Sequence, residues 1–243
     1  MSTIPKTLLA IGLVAAVLAA PATASDAAAG APQRAGVQDA APSEEARQLT
    51  DWIVDANNNR GLPFLVVDKK QAMVFAFHAD GRLRGMAPAL LGMAVGDDSA
   101  PGIGQRKLAA IRPDERTTPA GRFVAALDYN LHGVEILWVD YDAAISLHRV
   151  VAGTPKERRA ERLASPSALD NRVSYGCINV PATFFDQVVK PAFTGTNGIV
   201  YVLPETRSAQ AVFGAYDVGQ RRAQRAAVQP AAGLPPVGTQ PQM

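Results

Sequence analysis

Between residues 64 and 203 the large apolar side chains come in short runs, rich in β-branched and aromatic residues and cut off by Gly, Asn, Asp or Pro. Runs of this length suit strands and are too short for core helices, so the chain is expected to be mainly β. The candidates are 64–67, 72–77, 82–86, 122–127, 134–141, 144–151 and 199–203. Polar Asp68-Lys69-Lys70-Gln71 separates the first two, and Asp80-Gly81 turns the chain after the second, which predicts a meander.

Helical signals flank and interrupt these strands. Ser43 can cap a helix with Glu44 and Glu45 in its first turn and Leu49, Trp52 and Ile53 as its buried stripe, so 43–61 is read as an N-terminal helix and its exit. Thr154-Pro155-Lys156-Glu157 has the spacing of a capping box and predicts a short basic helix to about Ala164. Pro181 to Lys190 repeats Phe184/Val188 and Phe185/Val189 at i,i+4, with Pro191 expected to end it. Residues 25–42 are read as a flexible leader. The Ala/Gln/Pro-rich tail at 205–243 is expected to be mostly disordered, with at most one short helix around 209–227.

The first residues speak to location. Lys6 precedes a run of 13 apolar or glycine residues from Leu8 to Ala20, followed by Pro21 and Ala22-Thr23-Ala24. A bilayer span needs about 20 residues, so this is the layout of a signal peptide cleaved after Ala24, with periplasmic export and no membrane anchor afterwards. Export gives meaning to the single cysteine: in an oxidising compartment Cys177 has no internal partner and is either buried and inert or kept for its reactivity.

Other function classes find little support. Net charge is +2, and the basic residues are not interleaved with aromatics, so no nucleic-acid surface is predicted. The chain has no G-x-S-x-G, H-E-x-x-H, C-x-x-C or P-loop lysine motif, and His78, His132 and His148 are scattered, so neither a metal nor a cofactor is expected.

What remains is Ser174-Tyr175-Gly176-Cys177-Ile178-Asn179, a glycine-containing turn that presents a thiol just ahead of a helix. A nearby imidazole would raise its thiolate fraction, and the amides of Gly176 and Cys177 could hold an oxyanion. This segment resembles the S-H-G-C-[IV]-[NR] signature of the L,D-transpeptidase catalytic-domain (YkuD-like) family. Thr118-Pro119-Ala120-Gly121-Arg122-Phe123, Ile145-Ser146-Leu147-His148 and Gly195-Thr196-Asn197-Gly198-Ile199-Val200 are similar to other family segments in the same order, so the resemblance spans about residues 62–204.

The resemblance implies an L,D-transpeptidase-like β-sandwich with a few short helices, and a peptidoglycan-modifying enzyme. Cys177 would be the nucleophile toward a stem tetrapeptide and His148 the general base. The acyl group would pass to an amine, from a second stem or a wall-linked lipoprotein, in a role serving cell-wall organisation and cell shape. Tyr175, Ser174, Asn179 and Arg149 become substrate-binding candidates. Three departures stand out: Tyr175 replaces the family's second histidine, Arg149 follows the upstream histidine, and the 29 positions between His148 and Cys177 exceed the usual spacing, the excess falling in the 154–172 insertion. Two alternatives stay open, a hydrolytic peptidase or amidase using the same thiol and an inactive peptidoglycan-binding or scaffold module.

Overall fold

The structure, a computed structural model, describes residues 41–228. The signal-peptide reading of 1–24, most of the leader and the end of the tail lie outside these residues. Among the described residues no helix is long and apolar enough to cross a membrane.

The domain is mainly β. Ten strands follow in chain order: β1 Phe64–Asp68, β2 Met73–Phe77, β3 Leu83–Pro88, β4 Leu91–Gly92, β5 Gly121–Tyr129, β6 Glu135–Asp140, β7 Ile145–Arg149, β8 Arg172–Ser174, β9 Ile178–Val180 and β10 Gly198–Val202. Eight of them form one sheet in the order β3-β2-β1-β10-β5-β6-β7-β9, while β4 and β8 make a small parallel pair. Just after β3, Leu90 bridges to Asn179 in β9, so the two edges of the large sheet meet and the sheet nearly closes on itself. Closure of this kind removes open edges.

Alternation along β1, β2 and β10 feeds two cores. Leu65, Val67, Val74, Ala76, Val200 and Val202 point inward with Leu137, Leu147, Ile178 and Phe185. Phe64, Val66, Phe75, Phe77, Ile199 and Tyr201 point the other way. The second face is covered by α1 (Glu44–Asp55), which buries Ala46, Leu49, Trp52 and Ile53 and starts where Ser43 Oγ accepts the Ala46 amide at 3.1 Å. Strands covered on both faces read as unbroken apolar runs, which is how 64–67 and 72–77 appear.

Three helical expectations need correction. Residues 205–228 are not a loose tail: α5 (Ala209–Phe213) and α6 (Val218–Val228, after α2–α4 below) follow β10 and close the second core. Phe213 and Tyr216 pack on Trp52, and Tyr216 Oη donates to Asp55 at 2.9 Å; composition alone hid these few anchoring aromatics. The insertion helix is broken. Pro155–Glu157 is a 3-10 turn, Arg158 takes a left-handed conformation at φ 46°, and α2 runs only over Arg159–Ala164. The expected capping box fails because Thr154 makes no capping bond and Glu157 binds Arg159 Nε at 2.6 Å. Finally, Pro191 does not end its helix: α3 (Ala182–Phe184) leads through a π-helical stretch, Phe185–Val189, into α4 (Lys190–Phe193). The wider turn accommodates a ring that would otherwise strike the preceding carbonyls.

One polar cluster lies inside the fold. Lys69, in the polar segment that separates β1 and β2, has a fully buried side chain whose Nζ donates to Asp97 Oδ1 at 3.1 Å and to the Thr118 carbonyl at 3.0 Å, with Glu205 3.5 Å away. Asp97 also accepts from the amides of Glu205, Thr206 and Arg207, and Arg172 pairs with Glu205. Burial opposes charge on Asp97, but these donors outweigh it and hold its carboxyl well below the ordinary range.

Candidate active site

Parallel pairing of β7 with β9 sets the site's geometry, with Leu147 opposite Ile178 and His148 opposite Asn179. Period-2 alternation sends Ile145 and Leu147 into the core and leaves Ser146 and His148 on the face toward the turn that carries Cys177. That turn, between β8 and β9, passes through Gly176 at φ +129°. A Cβ there would lie 2.8 Å from the Thr117 carbonyl oxygen and 2.7 Å from Ile145 Cδ1, so only glycine fits. Thr118 Oγ1 donates to the Gly176 carbonyl at 2.8 Å while accepting the Gly92 amide at 2.8 Å. Ser174 Oγ donates to the Cys177 carbonyl at 2.6 Å, and Asn179 Nδ2 reaches the same oxygen at 3.1 Å.

These constraints hold a partly buried cysteine beside an imidazole. His148 lies close enough to Cys177 for each to shift the other's ionisation. His148 Nδ1 lies 2.8 Å from the Arg149 carbonyl, to which only an Nδ1–H can donate, so Nε2 is the nitrogen available to the thiol. Sγ is also 3.7 Å from Ser146 Oγ and 3.7 Å from the Ala144 carbonyl. Burial alone would push the Cys177 thiol up, but the neighbouring His148, with Ser146 beside it, outweighs burial and brings the thiol below its ordinary value. Burial likewise pushes His148 down, yet the sulfur and the Arg149 carbonyl raise it overall, against the opposing charge of Arg159. Both shifts are in the direction of thiolate and imidazolium.

The other predicted residues divide. The Gly176 amide donates to Ser174 Oγ at 3.1 Å, so it is spent inside the turn and not free for an oxyanion. The Cys177 amide donates to no described residue. Ser174 and Asn179 are buried braces of the turn. Arg149 pairs with Asp186 and Glu135 and stacks 4.2 Å over Phe185, which uses its charge structurally. Tyr175 is half-buried, and the Arg116 guanidinium lies 3.8 Å over its ring.

Sequence reasoning missed four contributors. Ser146 was within reach of the alternation rule, two residues before His148. Thr118 lay inside a recognised motif without an assigned role. Arg159 and Arg116 arrive from distant segments: Arg159, only 11% exposed, donates to Asn179 Oδ1 at 3.0 Å, and the insertion thereby grips the strand paired with His148. No local pattern announces either. Among the described residues no three His, Cys, Asp or Glu side chains converge as metal ligands would.

No family model and no curated protein matches the chain. Solved structures do. The catalytic domain of Enterococcus faecium L,D-transpeptidase is 15% identical, with a TM-score of 0.34 over 59% of this chain and 98% of that one. The helical cell shape determining protein Pgp2 of Campylobacter jejuni is 14% identical, with a TM-score of 0.41 over 66% of this chain and 57% of that one. Mycobacterium tuberculosis L,D-transpeptidase 1 is 15% identical, with a TM-score of 0.32 over 58% and 61%.

The chain resembles L,D-transpeptidase catalytic domains. It spans nearly all of the enterococcal domain and about three-fifths of the other two chains.

Proposed function

We propose that the protein is a periplasmic cysteine L,D-transpeptidase acting on peptidoglycan stem tetrapeptides. The observation that carries this reading is the Cys177–His148 pair, a thiol ionising below its ordinary value against an imidazole whose other nitrogen is fixed by a backbone carbonyl. An inert core thiol would need neither the oriented ring nor the Ser146 hydroxyl 3.7 Å from its sulfur. The export signal read at residues 6–24 supplies the compartment in which such stems occur.

In the proposed cycle the Cys177 thiolate attacks the carbonyl carbon of the third stem residue. The carbonyl electrons move to oxygen, where the Cys177 amide is the available donor. As the tetrahedral species collapses, the C–N bond to the terminal D-alanine breaks and the His148 imidazolium gives its Nε2 proton to the departing amine, leaving a thioester on Cys177. The neutral imidazole then takes a proton from an incoming amine as it attacks the thioester, and the thiolate is released. Water in the acceptor's place gives hydrolysis by the same steps.

The test is mass spectrometry of the purified chain after exposure to a tetrapeptide stem and, separately, to a carbapenem. A covalent adduct on Cys177, D-alanine released from the stem, and loss of both with Cys177→Ala are expected. D-alanine release that persists with Cys177→Ala would overturn the proposal. Cross-linked dimers against trimmed monomers identify the acceptor.

A further inference from the structure

Among the described residues, one guanidinium beside the catalytic turn forms no ion pair. Arg116 follows the 3-10 turn Pro113–Glu115 and directly precedes Thr117 and Thr118, which pack against the catalytic turn: the Thr117 carbonyl meets Gly176, and Thr118 Oγ1 bonds it. Its plane is fixed twice. Nε and Nη2 both donate to the Ile111 carbonyl, at 3.3 and 3.1 Å, and Cζ stands 3.8 Å over the ring of Tyr175, two residues before the nucleophile.

Those contacts use two of the five guanidinium N–H groups and leave the Nη1/Nη2 edge, the geometry that grips a carboxylate with two parallel hydrogen bonds. The site's other arginines are already neutralised: Arg149 by Asp186 and Glu135, Arg159 by Glu157, Arg172 by Glu205. Arg116 forms no ion pair among the described residues, although it is half-buried. A partly desolvated cation held rigid, with its binding edge unused, is poised for an anion from outside the chain.

We propose that Arg116, stacked on Tyr175 beside the catalytic turn, reads a carboxylate of the donor stem peptide and so selects acidic stems over amidated ones. This rests on the reading of Cys177 as a nucleophile toward stem peptides. Arg116 is a specificity residue here, and Tyr175, in the position of the family's second histidine, is the platform that holds its plane.

Binding can be measured without turnover, by calorimetry on Cys177→Ala protein with three tetrapeptide stems: the free acid, its C-terminal amide, and a form amidated on the third-residue side chain. The free acid is expected to bind about tenfold or more tighter than one of the amides, and which amide weakens identifies the carboxylate. Adding Arg116→Gln should erase that preference while leaving the weaker amide's affinity unchanged. Arg116→Lys, which keeps charge but loses the fork, should retain only part of the preference, and it carries the test if the glutamine variant does not fold. Stem binding with an acid-to-amide ratio unchanged in both variants overturns the inference alone. Failure of every stem to bind overturns the functional reading together with it.

Discussion

Two groups of charged or ionisable side chains lie on either side of Thr118, and they solve the cost of burial in opposite ways. In the Lys69 cluster every charge is matched: Asp97 receives three backbone amides, the Thr206 hydroxyl and Lys69, and Glu205 receives Arg172. At the Cys177–His148 pair the sulfur has a few long contacts and the residue is only partly buried. Saturated partners fix geometry, whereas unsaturated ones leave reactivity in reserve. Thr118 joins the two, its carbonyl accepting from Lys69 and its hydroxyl holding the Gly176 carbonyl. The first cluster thus positions the backbone on which the second reacts.

The sharpest way to break this division is Lys69→Ala. Removing the ammonium leaves Asp97 and Glu205 facing each other inside the protein, and a loss of about 3–5 kcal/mol in denaturant unfolding is expected, against at most about 1 kcal/mol for Cys177→Ala. Similar losses for the two variants would dissolve the contrast. Acid supplies the same comparison without mutation. The Asp97 carboxyl is depressed in the folded state, so its contribution is fully present above the unfolded carboxylate value of about 4 and is lost as pH falls from there toward the folded value. Unfolding measured across that window should therefore be steeper in the native chain than in Asp97→Asn.

Thr118→Val tests the bridge. Two buried hydrogen bonds vanish with little change in volume, and a loss of about 1–3 kcal/mol is expected together with slower acylation of Cys177, because the Gly176 carbonyl is no longer held. Lost stability with unaltered acylation would mean that the two groups are not coupled.

The smallest effect belongs to Arg159→Met. Arg159 opposes protonation of His148, so its removal should move the alkaline limb of the acylation–pH profile slightly upward. A downward shift would contradict the sign of that charge.

Most of the strands were legible because their runs are short, β-branched and bounded by turn residues. The two-residue β4 and the three-residue β8 and β9 are not, since so brief a pairing leaves no period to read. Cys177 and His148 stood out through one compact motif and its upstream partner, and the role of Ser146 follows from strand alternation. Lys69 read only as part of a polar separator between strands because its partners, Asp97 and Glu205, lie 28 and 136 positions away. Arg116 and Arg159 were invisible for the same reason: their contacts with Tyr175 and Asn179 are made across the fold. The tail was misjudged because composition averages over the few aromatics that dock it.

The central claim is that His148 sets the ionisation of Cys177, and the rate of iodoacetamide alkylation against pH tests it directly. The native chain should reach its plateau well below the pH at which a free thiol would. In His148→Ala, burial is left with less opposition and the midpoint should move up, with the rate at neutral pH falling by about a hundredfold or more. Overlapping profiles for the two proteins would contradict the account.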